Sequence, residues 1–344
     1  MKFGRVNTAE AEGGILSHSI KLPGGRLGKG ILLSGIDIRN LQAAGINEVV
    51  IARLEAGDIS EDEAAGRIAA AVTGENVVAE PVMNGRCNLH AAIGGLLVFD
   101  SGDLARLNLV DESLTTATLP AWSVVKPEQL IATIKIIPYG VPGQTVARLA
   151  DVAQETGCRL AVRPFRKLRI GLLQTQIEGF ETRILDKTRK VTDRRLALLG
   201  NEIALESRCA HHEAAITKGI NELLAADCKL ILIASASASA DRRDVVPQAI
   251  EQAEGKLIHM GMPVEPGNLL LLAEIRQQIP VICLPGCARS PALNGFDWVL
   301  ERLLAGIRVK AVDIMAMGAG GLIKGAPSRI AGPAAKAGGP GREE

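Results

Sequence analysis

Short apolar runs alternate with longer amphipathic segments over residues 168–306, and this alternation limits the folds open to the chain more than any other feature. The runs have strand length, and the segments between them are long enough for helices. Strands that alternate with helices are joined by right-handed crossovers, which build a mostly parallel sheet covered on both faces. We therefore predict a three-layer α/β/α domain with strands in RIGLLQT, EIALESR, KLILIAS, KLIHM and PVICLP and helices at 181–200, 212–226, 245–254 and 292–306.

The residues before this domain follow other patterns. Residues 1–75 predict a small α/β region, in which Ser60 and Glu63 have the spacing of a helix capping box. Residues 76–165 contain short β-branched runs between glycine turns, which predicts a β-rich, barrel- or sandwich-like region with a connecting helix. The α/β domain is expected over 166–317, and the Gly-, Ala- and Pro-rich residues 318–344 are expected to form a flexible tail or linker.

Composition argues against several classes of function. The formal net charge is +1, and the 344 residues include only two Trp, one Tyr and five Phe, so a nucleic-acid partner is not expected. No apolar run reaches the roughly 20 residues that cross a membrane, and the first residues lack a secretory signal, so we expect a cytoplasmic protein without a membrane partner. The six cysteines are scattered, which predicts neither a disulfide nor a metal site.

The run DRRDVVP follows the apolar run LILIA and a loop of alternating Ala and Ser. Ligands bind at the carboxyl ends of strands in such sheets, and helix N-termini attract anions, so Ser235, Ser237 and Ser239 are candidate ligand contacts. An alternative is that ASASAS continues the strand and its small residues allow tight helix packing. Asp244 fits both a ligand contact and a helix cap worth about 1 kcal/mol, and Arg243 fits either phosphate or solvent.

Two further segments are predicted near the same edge of the sheet. Asp186 and Thr188 precede or open a helix, where the carboxylate fits Mg²⁺, a ligand or an ordinary helix terminus. Pro285 and Gly286 force a turn after the last strand. Arg289 and Ser290 follow that turn and are candidate anion contacts.

Four segments together resemble the molybdopterin-binding domain family of molybdopterin adenylyltransferases and gephyrin-type molybdate insertases: RIGLLQT, ILDKTRKVTDRRLALLGNEI, ASASASADRRDVVP and LPGCARSPALNGFDWVL. The whole chain is similar to the N-terminal part of bacterial proteins that fuse such a domain to a molybdenum cofactor cytidylyltransferase-like domain. The resemblance implies molybdopterin or the molybdenum cofactor as ligand, with Mg²⁺ and a nucleotide if the protein is an enzyme. It implies binding by Thr175, Asp186, Thr188, Ser235, Ser237, Ser239, Arg243, Asp244, Pro285, Gly286, Arg289 and Ser290, with Asp244 catalytic and Asp186 and Asp244 on the metal.

The chain departs from the family pattern at two places. Its loop has Ala236 and Ala238 where the family has glycines, and each added Cβ restricts the approach of a phosphate. His212 stands where adenylyltransferases have the first carboxylate of an Asp–Glu pair, which removes a plausible Mg²⁺ ligand. We expect His211 and His212 to be surface or structurally satisfied histidines.

Three functions remain open from the sequence. The first is a cofactor-binding protein that stores the pterin or presents it to a molybdenum cofactor nucleotidyltransferase or an apo-molybdoenzyme. The second is a Mg²⁺-dependent adenylyltransferase or molybdate-inserting enzyme, and the third is a structural or regulatory module whose site has decayed. The oligomeric state is open as well, since apolar faces on NLLLLAEI and DWVLERLL fit subunit contacts.

Overall fold

A computed structural model of the protein describes residues 1–179, 181–276 and 278–323. The chain divides into two compact units, Met1–Phe165 and Arg166–Glu344. Both units are mixed α/β, and the second contains a mostly parallel six-stranded sheet, which confirms the predicted fold class at this level. No helix among the described residues is long and apolar enough to cross a membrane.

The first unit contains fourteen described strands and four α-helices. The strands are β1 (Lys2–Asn7), β2 (Ile15–Leu16), β3 (Ile20–Leu22), β4 (Gly25–Leu27), β5 (Glu48–Arg53), β6 (Asp58–Ser60), β7 (Val77–Ala79), β8 (Arg86–Ala91), β9 (Gly95–Val98), β10 (Leu114–Thr118), β11 (Val124–Val125), β12 (Leu130–Ile136), β13 (Gly140–Pro142) and β14 (Ala161–Arg163). The helices are α1 (Gly35–Ala43), α2 (Glu61–Val72), α3 (Ser101–Asn108) and α4 (Gly143–Thr156).

The N-terminal part of this unit has a small core of its own. Strands β1, β5 and β2 form an antiparallel sheet, and β3 and β4 form a hairpin. Leu16, Leu41 and Ile51 are buried in the core beneath α1. A capping box fixes the start of α1, because Ser34 Oγ accepts from the Asp37 amide at 3.3 Å and Asp37 accepts from the Ser34 amide at 2.9 Å.

The β-rich part of the unit is built from open antiparallel sheets packed with helices. One sheet has the order β10-β12-β8-β7 and another has β11-β9-β14. Ile68 of α2 and Leu149 of α4 are buried in the same core as Leu89 and Leu97 of the two sheets. Residues of the two sheets and of the helices share one core, because the apolar faces of the helices need burial as much as those of the strands. The barrel- or sandwich-like form stays a prediction.

Gly95 lies where β9 approaches β14 too closely for a side chain. A methyl group on Gly95 would overlap the Arg163 carbonyl oxygen and lie 2.8 Å from the Arg163 carbonyl carbon. Because these are backbone atoms of a paired strand, we expect Gly95→Ala to lower the free energy of unfolding of this unit by about 1–3 kcal/mol. Urea denaturation tests this, with Gly4→Ala as control because a methyl there meets nothing within 4 Å; equal stabilities of the two variants would contradict the expectation.

The second unit contains six described strands and five α-helices. The strands are β15 (Ile170–Gln176), β16 (Ile203–Ala210), β17 (Leu230–Ala234), β18 (Gly255–Met260), β19 (Leu271–Ile275) and β20 (Ile279–Cys283). The helices are α5 (Thr182–Leu198), α6 (Glu213–Ala225), α7 (Val245–Gln252), α8 (Gly295–Leu304) and α9 (Ala311–Met315).

The sheet of this unit has the order β16-β15-β17-β20-β19-β18. The first four strands are mutually parallel, and β19 is antiparallel to both of its neighbours. Leu173, Ile231 and Val281 of the sheet are buried together with Ile220 of α6 and Ile250 of α7. The parallel strands therefore end at one edge, where the loops after β15, β16, β17 and β20 meet.

Two apolar segments whose faces fit subunit contacts are partly buried within the second unit. NLLLLAEI contains β19, a strand that the sequence analysis did not predict; Leu271 and Leu272 are buried in it, and Leu269 before it is 48% exposed. DWVLERLL forms α8, whose Val299 and Leu300 are also buried. The sequence pattern alone cannot tell an apolar face that packs internally from one that packs on a second chain.

The chain remains hydrogen-bonded beyond the predicted start of the tail. The Glu265 amide donates to the Gly321 carbonyl at 2.8 Å, and the Ile323 amide donates to the Glu265 carbonyl at 2.9 Å. The remaining tail residues, 324–344, lie outside the described residues.

Candidate functional site at the strand ends

Four side chains from different strand ends meet at the carboxyl edge of the parallel sheet, and we call them the strand-end cluster: Thr175, His211, Ser235 and Arg289. The Thr175 hydroxyl lies 3.0 Å from His211 Nδ1, and the Ser235 hydroxyl lies 3.5 Å from the same nitrogen. Arg289 donates to the Ser235 carbonyl at 2.7 Å. The loops after β15, β16, β17 and β20 are thereby joined at one place.

The hydrogen bonds around Thr175 are compatible with one tautomer of the His211 ring. Thr175 Oγ1 accepts from the Ala236 amide at 2.8 Å and keeps a hydrogen that it can donate to His211 Nδ1. In the tautomer that accepts this hydrogen, Nε2 carries the ring proton and is a donor. Since His211 is only partly buried, this donor is suited to a ligand oxygen.

Arg289 supplies the positive charge of the cluster. Its side chain is half-buried, and burial lowers the pKa of the guanidinium from its usual value. A guanidinium remains charged even so, and its planar donors match phosphate in a bidentate manner. The predicted anion contact at Arg289 thus lies beside Ser235 and Thr175, as the sequence suggested.

The Ala/Ser segment after β17 is a loop and not part of the strand. Strand β17 ends at Ala234, so the alternative in which ASASAS continues the strand is wrong. Ser237 is exposed and Ser239 is buried. Residues 235–244 separate β17 from α7, and Asp244 at the end of this loop caps the helix.

Asp244 acts as the N-cap of α7. One carboxylate oxygen accepts from the Val245 amide at 2.8 Å and the other accepts from the Ala240 amide at 3.1 Å. Burial raises the pKa of the Cys283 thiol to about 12, and the nearby Asp244 carboxylate adds to the rise. Asp244 therefore lies near the end of β20 and holds the loop through the Ala240 amide. Arg243 is exposed and pairs with Asp241 at 2.8 Å.

Asp186 and Thr188 lie inside α5 rather than at its start, which corrects the predicted position. The helix begins at Thr182, so both residues lie past its first turn. The Thr188 hydroxyl is buried and donates to the Ile184 carbonyl at 2.8 Å. Asp186 accepts from Arg208 at 2.6 Å. The polar atoms of both residues thus serve contacts within the unit.

Arg208 belongs to a charged network along β16 and α5. It also donates to Glu206, whose other oxygen accepts from Arg189 at 2.9 Å. Burial acts to raise the pKa of Glu206, but the hydrogen bonds from Arg208, Gln174 and Arg189 outweigh it and the pKa is lowered. The Asp186 and Glu206 carboxylates are therefore each paired with arginine side chains.

The loop after β20 accepts hydrogen bonds from a buried arginine side chain. Pro285 is buried, and Gly286–Arg289 form a 3-10 turn. Arg195 of α5 donates to the carbonyls of Ser290 and Ala292, the latter at 2.9 Å. The Ser290 hydroxyl accepts from the Ala292 amide at 3.3 Å, so it supports the loop.

The two proposed metal ligands do not fit Mg²⁺ as the residues are arranged. Asp186 is engaged by Arg208, and both oxygens of Asp244 accept backbone N–H groups. A group of three or more His, Cys, Asp or Glu side chains able to hold a metal ion is absent from the described residues. A hard cation needs several oxygen ligands at one point. Both oxygens of Asp244 are engaged, whereas only Oδ1 of the exposed Asp186 contacts Arg208, so Mg²⁺ at these two residues requires Asp244 to give up backbone contacts.

Two histidines near the site are hydrogen-bonded, in agreement with the expectation of surface or structurally satisfied histidines. His211 is partly buried and lies at hydrogen-bond distance from Thr175 and Ser235, a place at the strand ends that the sequence analysis did not assign to it. His212, at the position of the family's carboxylate, caps α6 by accepting from the Ala215 amide at 3.3 Å. The only sequence signal for His211 was its place directly after a predicted parallel strand.

Comparisons with known proteins add little to this geometry. A family model described as "Domain of unknown function (DUF8806)" matches residues 5–53. No curated protein matches the chain. One solved structure, named "Putative molybdenum cofactor biosynthesis protein" and from Corynebacterium diphtheriae, is 12% identical with a TM-score of 0.30, and the match covers 42% of this chain and 99% of that one.

Proposed function

We propose that the second unit binds a phosphorylated pterin of the molybdopterin class at the strand-end cluster. The arrangement of Arg289, His211 and Ser235 at one strand edge carries the proposal. A terminal phosphate needs a guanidinium, N–H donors and hydroxyls, and each of these groups is present there. The four sequence segments that resemble the molybdopterin-binding family support the pterin as the rest of the ligand.

Within this proposal the protein stores or presents the cofactor. A Mg²⁺-dependent adenylyl transfer needs carboxylates open to the metal, and Asp186 and Asp244 are engaged by Arg208 and by backbone amides. The consumer of the bound cofactor would be a nucleotidyltransferase or an apo-molybdoenzyme. The adenylyltransferase remains the second candidate because the resemblance includes that activity.

The experiment that decides between these functions is an anaerobic titration with molybdopterin, with and without Mg²⁺ and ATP or CTP. Bound pterin and released pyrophosphate are followed together. Saturable binding without pyrophosphate supports the storing or presenting role, and pyrophosphate release supports the transferase. Absence of binding rejects the proposal and leaves a structural module.

We expect Arg289→Gln to weaken molybdopterin binding by about 10- to 100-fold, because a hydrogen bond to a charged group contributes about 1.5–3 kcal/mol. Arg243→Gln is expected to change binding by less than about threefold, since Arg243 is exposed and paired with Asp241. Arg289→Lys retains the charge and should recover part of the affinity.

Arg308→Gln serves as the matched control, because Arg308 is exposed and pairs with Glu274 at 3.1 Å. Far-UV circular dichroism and a melting curve establish that each variant is folded. Equal losses for Arg289→Gln and Arg243→Gln would remove Arg289 from the binding site.

A further inference from the structure

A cavity of about 600 Å³ lies wholly within the first unit, so it is separate from the strand-end cluster. Its wall comes from the chain after β9, the start of α3, the end of α4 and strand β14. Small-molecule sites in proteins have volumes of roughly 300–1,000 Å³ and combine aromatic surface with a few polar groups. The cavity meets both conditions.

Two aromatic side chains contribute to the wall. Phe99 is buried and Trp122 is 36% exposed. Trp122 has a φ of 67°, a left-handed conformation that costs a bulky residue of order 1–3 kcal/mol. Its amide donates to the Leu97 carbonyl at 2.7 Å, which holds the residue in place. Such backbone strain is concentrated at ligand sites, and here it places an indole at the wall of a cavity.

Carboxylates lie at the start of α3. One oxygen of Asp100 accepts from the Gly102 and Asp103 amides at 2.7 and 3.0 Å. Asp103 also lines the cavity and is 3.7 Å from Arg106. Burial, followed by the charges of Asp103 and Asp100, raises the pKa of the Cys158 thiol to about 11, so the negative field of α3 reaches the cavity wall.

Guanidinium groups reach the cavity from β14 and the chain before it. Arg159 donates to the Thr73 carbonyl at 3.1 Å. Arg163 pairs with Glu75 at 2.7 Å, and that pair largely cancels its charge. Arg159 donates to a neutral carbonyl, which leaves its charge uncompensated by that contact, and it is therefore better suited than Arg163 to an anionic group.

We propose that this cavity binds a planar fused heteroaromatic ring that carries an amino group and a ring N–H on one edge, as guanine and pterins do, together with an anionic substituent. The ring packs against Trp122, as bases do on aromatic side chains. The N–H edge donates to Asp103, and the anionic substituent contacts Arg159. This site is independent of the one proposed for the second unit.

Fluorescence of Trp122 gives a direct readout in the full chain. The sequence contains two Trp residues, so Trp298→Phe leaves Trp122 as the only indole. The probes are guanosine 5′-monophosphate, 6-carboxypterin, inosine 5′-monophosphate, which lacks the amino group, and guanosine, which lacks the phosphate. We expect saturable quenching by at least one of the first two, and the tighter of them identifies the source of the ring.

The probe series tests each contact separately. The inosine nucleotide should bind at least tenfold more weakly than guanosine 5′-monophosphate, and guanosine should lose a similar factor. Isothermal titration of the unmodified protein repeats the measurement without the Trp298 substitution. Lack of saturable binding of both amino-bearing rings up to 1 mM overturns the proposal, and equal binding of the inosine and guanosine nucleotides overturns the carboxylate contact.

Three variants complete the test. Trp122→Leu and Asp103→Asn should each weaken binding at least tenfold, and Arg159→Gln should weaken only the anionic probes. Arg67→Gln is the matched control, since Arg67 is exposed on α2 and pairs with Glu63 at 2.6 Å. Arg289→Gln should leave this binding unchanged, so failure here is distinguishable from failure at the strand-end cluster. Binding unaffected by both Trp122→Leu and Asp103→Asn contradicts the proposal.

Discussion

Replacing Asp297 with alanine is expected to lower the free energy of unfolding of the second unit by about 3–5 kcal/mol. Arg195 donates to both oxygens of Asp297, at 2.9 and 2.8 Å, and the two side chains are only 8% and 11% exposed. The substitution leaves the guanidinium buried without its counter-ion. Asp297 also accepts from the Asn294 amide at 2.8 Å in the capping box of α8, so the substitution removes this contact as well.

Urea denaturation of the parent protein and the variant measures this loss. The matched control is Glu222→Ala, since Glu222 forms an exposed pair with Lys218 at 3.8 Å and should change stability by less than about 1 kcal/mol. The double variant Arg195→Met with Asp297→Leu should be more stable than Asp297→Ala, because no buried charge remains. A change below 1 kcal/mol for Asp297→Ala would show that the pair is not buried in solution.

The local signals in the sequence predicted the framework of the second unit. The predicted strands became β15, β16, β17, β18 and β20. The signal is clearest in β15 and β17, whose residues are mostly buried, because a buried parallel strand needs a continuous apolar run. The helix predicted over 292–306 is α8, which begins at Gly295 with Asn294 as its cap. Thr175, Ser235 and Arg289 were placed near one another by the rule that parallel strands end at one edge.

Contacts between distant residues were not predictable in this way. Arg195 and Asp297 are 102 residues apart, and their pairing depends on how α5 and α8 pack. Asp186 was assigned to a helix start, but the structure begins α5 at Thr182. Strand β19 was missed because its hairpin to β20 turns at Arg276, a residue with a φ of 51° and no glycine or proline signal.

We expect Glu301 to make the free energy of unfolding of the second unit fall as the pH rises, because the pKa of its carboxyl is raised. Burial, followed by the charge of Asp297, raises the pKa of Glu301 to about 8, and Arg302 opposes the rise. In the unfolded chain this carboxyl titrates near its ordinary value of about 4.3. Between these two values the folded protein holds a proton that the unfolded chain has released.

The sign of the effect follows from this difference in bound protons. Below about pH 4 both states are protonated and Glu301 does not affect the free energy of unfolding. As the pH rises, the unfolded state gains the free energy of ionisation first, so the stability falls until Glu301 also ionises in the folded state near pH 8. At about 1.4 kcal/mol per pKa unit, a rise of this size corresponds to at most about 5 kcal/mol lost at pH 8.

Glu301→Gln removes the ionisation while keeping the shape of the side chain, so the variant should be about 2–4 kcal/mol more stable than the parent at pH 8 and equal to it near pH 4. Burial also raises the pKa of Asp297, and that contribution persists in both proteins, so only their difference isolates Glu301. Urea denaturation at four pH values gives the measurement, with the exposed Glu251→Gln as control. Parallel stability curves for the parent and Glu301→Gln would show that Glu301 is already ionised in the folded protein, and then the carboxylate must reach water at the surface of α8.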